Sequence, residues 1–425
     1  MGVQIPHRAF IHGAESWRQQ DGWQEGDKYV SFLPLAWITE QELGVTASLL
    51  SGFEVDFPEE TETVQENIRE LAPEIIFWGP RQWEGVSRMI QAKMIDSDVF
   101  NRFLYALFLP VGYKVADLLL DRKRPNLMWR SLYFLAYWAF FRELRDKIGL
   151  SKVKQAYTAG SVISPDMIRF FKAIGVAIKS VYGSSEMTIA TIPKGEEVTL
   201  ETSGSPIEGN ELRIAESGEI LCRGKTLFSG YYKNPALTGE WIKSGWFHSG
   251  DFGHITEDGQ VICMDRMDDL RELTGARKFS PQYAETRLRF SPYIKDALVI
   301  GEEDKDYVSA ILNIDLDNVG RRAEARAIPY TTFTDLTQKP EVINLIHREI
   351  EKVNKGFPEW MRIRKFANLH KEFDPDEAEL TRTRKIRRDF METRYGEITS
   401  ALYSNVKELP VEASVTYRDG RKGTI

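Results

Sequence analysis

The sequence predicts an α/β protein: a partial large N-terminal domain with a doubly wound sheet and a β-hairpin subdomain, followed by a small α+β C-terminal domain. Three observations carry this. Up to about residue 200, short β-branched or aromatic runs alternate with helical segments, the pattern of parallel βαβ units. From 210 the texture changes to hairpins, NELRIAESGEILCRG turning at Ser217 and Gly218 and SGDFGHITEDGQVICMDR at Asp258 and Gly259. At 425 residues the chain exceeds the usual single-domain range.

Along the chain, YVSFL predicts a strand, ELGVTASLLSG a helix, FEVDF a strand, TVQENIREL a helix, EIIFW a strand and QWEGVSRMIQAKMI a helix. Thr63 with Glu66 has the spacing of a capping box. Residues 97–148 read as helical and hold the apolar runs FLYALFLPVGY and SLYFLAYWAFF, both shorter than the roughly 20 residues that span a bilayer. The second run is apolar on every face, which suits buried core, an acyl-chain tunnel or shallow membrane contact. VKQAYT then predicts a strand, AGSVI a loop, and SPDMIRFFKAIG a helix with Ser164 as N-cap, Pro165 in the first turn and Gly175 as its stop. VAIKSVY is the next strand, ending at GSSE. In a parallel sheet the loops 159–163 and 183–187 both lie at the carboxyl edge, where open α/β folds bind ligands.

Beyond Arg266 the stretch MDDLREL is charged and coil-prone. The expected division is a large domain over 1–266, a hinge at 267–269, a small domain over 270–404 and a flexible polar tail over 405–425. The small domain contains the strands ALVIG and YVSAILNI and a long helix around KPEVINLIHREIEKVNKG.

Net charge is −7, with both signs mixed along the chain, so no nucleic-acid partner is expected. Two cysteines make no disulfide framework, and six scattered histidines give no zinc-ligand spacing. The opening MGVQIPHRAFIHGAESW lacks the apolar core of a secretory signal. A cytoplasmic location follows, with peripheral membrane association as an alternative resting on the apolar runs and on Lys114, Arg122, Lys123 and Arg124.

The second hairpin carries the sharpest chemical signal. With Asp258 and Gly259 as the two residues of a type I′ turn, counting outward along both strands sets Asp251 opposite Arg266. A carboxylate can accept both hydroxyl protons of a vicinal diol, while a neighbouring arginine keeps it ionised. That suits a ribose. The alternative is an ordinary cross-strand ion pair.

Taken in order, several segments resemble the adenylate-forming (AMP-binding) superfamily and, within it, the long-chain fatty acyl-CoA synthetases. SFLPLAWITEQ is similar to the family's LPLAHxxE segment, YTAGSVISPDMIRFFKAIG to its adenine-pocket loop and helix, and YGSSE to its YGxTE motif. GKTLFSGYYKNPALT, GWFHSGD and DGQVICMDR resemble the run ending in the ribose-binding Asp and Arg. LTGARKFSPQYAETRLRFSPYIKDALVIG resembles the start of the mobile C-terminal domain, and ELTRTRKIRR the loop bearing the catalytic lysine.

The resemblance implies activation of a long-chain fatty acid by ATP to an acyl-adenylate, then capture by the thiol of CoA. Carried onto this chain, Lys385 would donate to the α-phosphate and acyl oxygens, and Glu186 would hold Mg²⁺. Ser185, where the family usually has Thr, would bond the α-phosphate within the nucleotide-binding stretch Gly183, Ser184 and Ser185. Tyr182 would stack on adenine, with strand-end packing as the alternative, and Gly160 and Ser161 would let the backbone approach the ring edge. Asp251 and Arg266 would bind ribose, and Asp268 would be the hinge about which the small domain rotates. Gly275 and Lys278 lie in the loop implied to face CoA. Trp37 stands in place of the histidine of LPLAH and is read as a wall of the acyl site.

The family's phosphate loop, of the form SGTTGxPKG, is expected directly before the HRAF segment, where this sequence opens with MGVQIPH. Such a loop supplies backbone N–H donors to the β- and γ-phosphates. Three readings follow: a truncated long-chain acyl-CoA ligase, an inactive fragment that binds nucleotide, acyl-adenylate or a separately supplied N-terminal segment, or an enzyme that loads a carrier protein. The run FSPYIKDALVIG and the apolar helices favour the acyl-CoA branch over the third.

Overall fold

Five short strands of the N-terminal half align in one parallel sheet: β1 (Lys28–Val30), β2 (Glu54–Asp56), β3 (Ile75–Phe77), β4 (Gln155–Thr158) and β5 (Ile178–Ser180), in the spatial order β2-β1-β3-β4-β5. The computed structural model describes residues 2–195, 198–381, 386–404, 406, 409–410, 414–416 and 422–424. The chain runs outward from β1 to β2 and then returns to β3 on the other side of β1, so the order reverses between β1 and β3. Open α/β sheets bind ligands at such a reversal.

Helix α1 (His7–Asp21) turns Ala9, Ala14 and Trp17 inward and ends at Gly22, whose φ of 64° suits a residue without Cβ. Trp17 meets Tyr157 of β4 edge-on at 4.7 Å and Trp23 at 5.3 Å, so aromatic rings fill the space over the sheet. Then follow α2 (Pro80–Asp96), α3 (Val99–Leu120), α4 (Leu127–Ala136) and α5 (Pro165–Ala173). Ser164 caps α5, accepting from the Asp166 amide at 3.2 Å, and Gly175 follows the helix with a φ of 89°.

Three local expectations are corrected. The capping box at Thr63 does not form: its hydroxyl bonds the Glu60 carbonyl and Asn67 instead. The helix expected over 42–52 is wound as a π-helix over Gln41–Ala47 before its last turn, Ser48–Ser51. VAIKSVY is not one strand: β5 ends at Ser180, and β6 (Tyr182–Ser184) pairs antiparallel with β7 (Thr188–Ile192) in another sheet. GSSE is therefore the end of a tight hairpin rather than an open loop. A Cβ on Gly183 would lie 2.0 Å from the Thr188 carbonyl oxygen, so close backbone approach explains that glycine.

The hairpin subdomain contains β8 (Glu219–Gly224), β9 (Trp246–Ile255) and β10 (Val261–Arg266), with β9 between the other two. Its turn differs from the expected type I′. Glu257, Asp258 and Gly259 make a three-residue loop closed by Gly259 N–H to Thr256 O and Thr256 N–H to Gln260 O, each 2.9 Å, with Gly259 alone of the three at positive φ. That moves the register by one residue. A bulge at Met264 moves it back, because Gly253 pairs Cys263 while Phe252 pairs Asp265. Asp251 consequently faces Arg266.

The chain divides into two compact units, Met1–Asp268 and Asp269–Ile425, and Met267–Asp269 forms a 3₁₀ turn at the division. The second unit opens with the hairpin β11 (Arg271–Leu273) and β12 (Arg277–Phe279), then helix α6 (Pro281–Leu288). Strands β13 (Ile294–Ile300) and β14 (Val308–Ile314) pair antiparallel, and β15 (Ile363–Asn368) adds parallel to β14. Helix α7 (Pro340–Asn354) buries Val342, Leu345, Ile346 and Ile350 in the same core as Ala297, Val299, Ala310 and Leu312. The flexible tail expected over 405–425 falls largely outside the described residues; within them, Ser414–Thr416 pairs with Lys422–Thr424.

Candidate active site

The site is built around a kink in β9. Buried Ser249 donates to the Ile220 carbonyl at 2.6 Å and accepts from the Asp251 amide at 3.0 Å. Between them Gly250 takes a φ of 70°, and its amide donates to Glu219 Oε1 at 2.9 Å. The kink turns Asp251 inward, leaving its side chain 13% exposed, with Oδ1 3.1 Å from Arg266 Nη1. Its Oδ2 accepts from the Tyr182 hydroxyl at 2.7 Å. Arg266 is itself oriented by donating to the Ser249 carbonyl at 2.8 Å. Burial raises the Asp251 pKa above the ordinary carboxylate value, outweighing the lowering by Arg266 and Tyr182, while the charges of Glu186 and Glu219 push it further up. A ribose diol needs the carboxylate form, which Arg266 and Tyr182 both favour.

Tyr182 is 7% exposed, with its ring in the core beside Met187, Ala190 and Phe228. Here it supports Asp251 rather than offering an open face for stacking. Burial, and then the Asp251 charge, raise its own pKa well above normal, so the phenol remains a donor.

Glu186 follows the β6 hairpin end and is held from two directions. Its backbone N–H donates to Ser184 Oγ at 3.2 Å, its carbonyl accepts from the Phe228 amide at 2.8 Å, and its Oε1 accepts from the Tyr231 hydroxyl at 3.1 Å. Tyr231 arrives through the pairing of Gly230–Tyr231 with Val3–Gln4. Among the described residues no three His, Cys, Asp or Glu side chains gather as a metal site. A single fixed carboxylate is what Mg²⁺ uses when phosphates and water complete its shell, so Glu186 fits such an ion.

Gly160 and Ser161 lie in the loop after β4, and Trp37 lies in the segment after β1, at the carboxyl edge of the parallel sheet. Gly160 has a φ of 88° with no atom within 4 Å of a would-be Cβ, so this stretch of backbone is open to an approaching group. Trp37 is half-buried against the core of the same unit. Ser185 is half-buried beside Glu186, and Asp268 sits in the 3₁₀ turn. In the second unit, Gly275 turns the β11–β12 hairpin at a φ of 85° and Lys278 is exposed on β12 opposite Glu272. Lys385 lies outside the described residues. The structure thus joins Tyr182, Asp251 and Arg266 directly, with Glu186 within electrostatic reach. Sequence reasoning did not single out Tyr231, Ser249 or Glu219; Tyr231 stands 45 positions from its partner, and spacing gives no cue to such a pair.

The fold is that of adenylation domains. The chain is similar to the adenylation domain of a carboxylate reductase from Mycobacterium chelonae, with a TM-score of 0.64, 19% identity and coverage of 89% of this chain and 54% of that one. It is similar also to the A domain of carboxylic acid reductase from Segniliparus rugosus, in complex with AMP and a co-purified carboxylic acid, with a TM-score of 0.65, 18% identity and coverage of 94% and 59%. In such domains a large N-terminal part precedes a small C-terminal one.

The chain belongs to the AMP-binding enzyme family: residues 2–232 match the family model described as AMP-binding enzyme, and residues 268–407 match the AMP-binding enzyme C-terminal domain. Among curated relatives, it is 27% identical over 383 residues to the long-chain-fatty-acid–CoA ligase FadD15 of Mycobacterium tuberculosis, covering 90% of this chain and 63% of that protein. It is 28% identical over 418 residues to long chain acyl-CoA synthetase 1 of Arabidopsis thaliana, covering 91% and 61%. The chain therefore spans under two thirds of the length of these relatives.

Proposed function

We propose that this chain serves an ATP-dependent long-chain fatty acid:CoA ligase that works through an acyl-adenylate. The observation that supports it most is the Asp251 carboxylate held between Arg266 and Tyr182 at the open end of the hairpin, with Glu186 beside it. A carboxylate resists a thiol because its leaving group would be oxide. Attack of the carboxylate oxygen on the α-phosphorus of ATP expels pyrophosphate; the CoA thiol then adds to the acyl carbon and AMP leaves in place of oxide.

Each residue contributes a definite part of this. Asp251 accepts the ribose hydroxyls and Arg266 keeps it ionised. Glu186, steadied by Tyr231, would hold Mg²⁺, and an ion there would offset charge building on the phosphates. Ser185 donates to the α-phosphate, and the loop of Gly160 and Ser161 admits the adenine edge. Lys385 donates to the α-phosphate and acyl oxygens in the first half-reaction, Asp268 is the hinge, and Gly275 and Lys278 face CoA in the second. Trp37 lines the acyl site. The substrate class rests on the names of the relatives, and a cytoplasmic location accompanies it.

A second reading has its own observation. The 425 residues contain no stretch of the form SGTTGxPKG. The second reading is a nucleotide- or acyl-adenylate-binding role, in which another segment supplies the donors to the β- and γ-phosphates. Pyrophosphate release separates the two: with ATP, Mg²⁺ and a long fatty acid, a chain joined to such a loop releases pyrophosphate and the 425 residues alone release little. Robust release by the chain alone would overturn the second reading, and none from the joined chain would overturn the first.

A further inference from the structure

We infer that α3 and α4 form a docking face for an anionic lipid bilayer, on which the protein lies without crossing it. Among the described residues, α3 is the one helix long and apolar enough to span a membrane by length and composition. Its inner side, however, is fixed to the protein. Phe108, Gly112, Val115 and Ala116 are buried, and a Cβ on Gly112 would lie 2.6 Å from the Ala173 carbonyl at the end of α5. Asp117 takes a two-pronged ion pair from Arg169 of α5, at 2.5 and 2.8 Å, and that guanidinium also covers the Tyr113 ring at 4.4 Å. A helix so clamped along one side cannot leave to cross a bilayer.

Among the described residues, the outer side has no such cover. Val99, Phe103 and Leu107 recur at four-residue spacing as one exposed stripe on α3, with Phe100 beside it at 66% exposure. On α4, which packs against α3, Leu127, Phe134 and Leu135 are exposed, Phe134 at 66%; Trp138, just beyond its end, is 55% exposed. Large apolar residues gathered on two neighbouring helices exceed the scattered exposure of an ordinary surface.

Charge selects the occupant. Residues 97–148 hold nine Lys and Arg against five Asp and Glu, a local excess of +4 in a chain of net charge −7. Arg102, Lys114, Arg124, Arg130 and Arg142 are exposed along these helices, and the Arg142 guanidinium lies 4.9 Å from the Trp138 ring centroid. A second copy would set positive against positive. Anionic headgroups meet the same cations favourably while the phenylalanines and the tryptophan enter the acyl boundary.

Flotation of the full chain with phosphatidylcholine vesicles, with and without phosphatidylglycerol, tests this, and the outcome does not depend on the ligase reading. The protein should float with the mixed vesicles and do so less as salt rises. Combining Phe100→Ser, Phe134→Ser and Trp138→Ser should lower the partition coefficient by at least about tenfold, since three large apolar side chains no longer enter lipid. Combining Arg124→Glu and Arg130→Glu should abolish the preference for phosphatidylglycerol, with thermal melting and nucleotide affinity unchanged in both variants. Protein that stays at the bottom with both vesicles, equal flotation of parent and apolar variant, or a dimer that the apolar substitutions dissociate would overturn the assignment.

Discussion

Asp251 is the residue on which the proposed nucleotide chemistry turns, and its surroundings make a pH prediction. A proton on the carboxylate removes an acceptor that a ribose diol would use. Because burial raises its pKa above the ordinary 3.8, affinity for adenine nucleotides should fall on acidification while exposed aspartates are still ionised. A calorimetric affinity profile with no fall until pH is below 3.8 would contradict this. Tyr231→Phe should leave nucleotide affinity without Mg²⁺ unchanged and weaken the Mg²⁺-dependent increment by about tenfold, the loss expected for a hydrogen bond to a charged group. The Asp251–Arg266 pair was legible in the sequence, but through two departures that cancel: the loop is one residue longer than a type I′ turn, and the Met264 bulge restores the count. The sequence singled out Tyr182 but not its bond to Asp251, because that bond joins two sheets whose approach no local pattern encodes.

At the scale of elements, the π-helix Gln41–Ala47 buries the Glu42 carboxyl with neither oxygen hydrogen-bonded. Burial raises its pKa well above 4.5, so the folded state holds the proton more tightly than the unfolded state does. Its stability is then highest below about pH 4.5 and declines as pH rises through the folded-state value. Glu42→Leu should therefore be more stable at neutral pH by about 1–3 kcal/mol, the cost of an unsatisfied buried polar group, and the gain should shrink on acidification towards pH 4.5. Paired thermal melts at several pH values check it; a gain independent of pH would assign the effect to packing alone. The sequence suggested a helix here but not its winding, since apolar spacing does not distinguish a π-turn from an α-turn. The five parallel strands were legible because each is a short segment with β-branched or aromatic residues between helical ones, although the last ends at Ser180 rather than Tyr182. The helices of residues 97–148 were legible as elements, but which of their faces is covered depends on the distant residues Arg169 and Ala173.

For the whole molecule, the chain divides into two compact units between Asp268 and Asp269. The chemistry proposed for Lys385 belongs to this scale, because that position falls in the second of the two units along the chain. In a chain joined to a phosphate loop, Lys385→Ala should lower pyrophosphate release by roughly two orders of magnitude, the loss typical of one donor to developing charge. Thioester formation from supplied acyl-adenylate and CoA should be nearly unchanged, and equal loss in both assays would contradict the role.

The most direct test is a titration of the 425-residue chain with AMP and with 2′-deoxy-AMP, repeated in Asp251→Asn. The parent should bind AMP more tightly than the deoxy compound, whereas the variant should bind AMP at least about tenfold more weakly than the parent and no longer distinguish the two ligands. Undiminished AMP affinity in the variant, or equal binding of both ligands by the parent, would return Asp251 and Arg266 to a plain cross-strand ion pair.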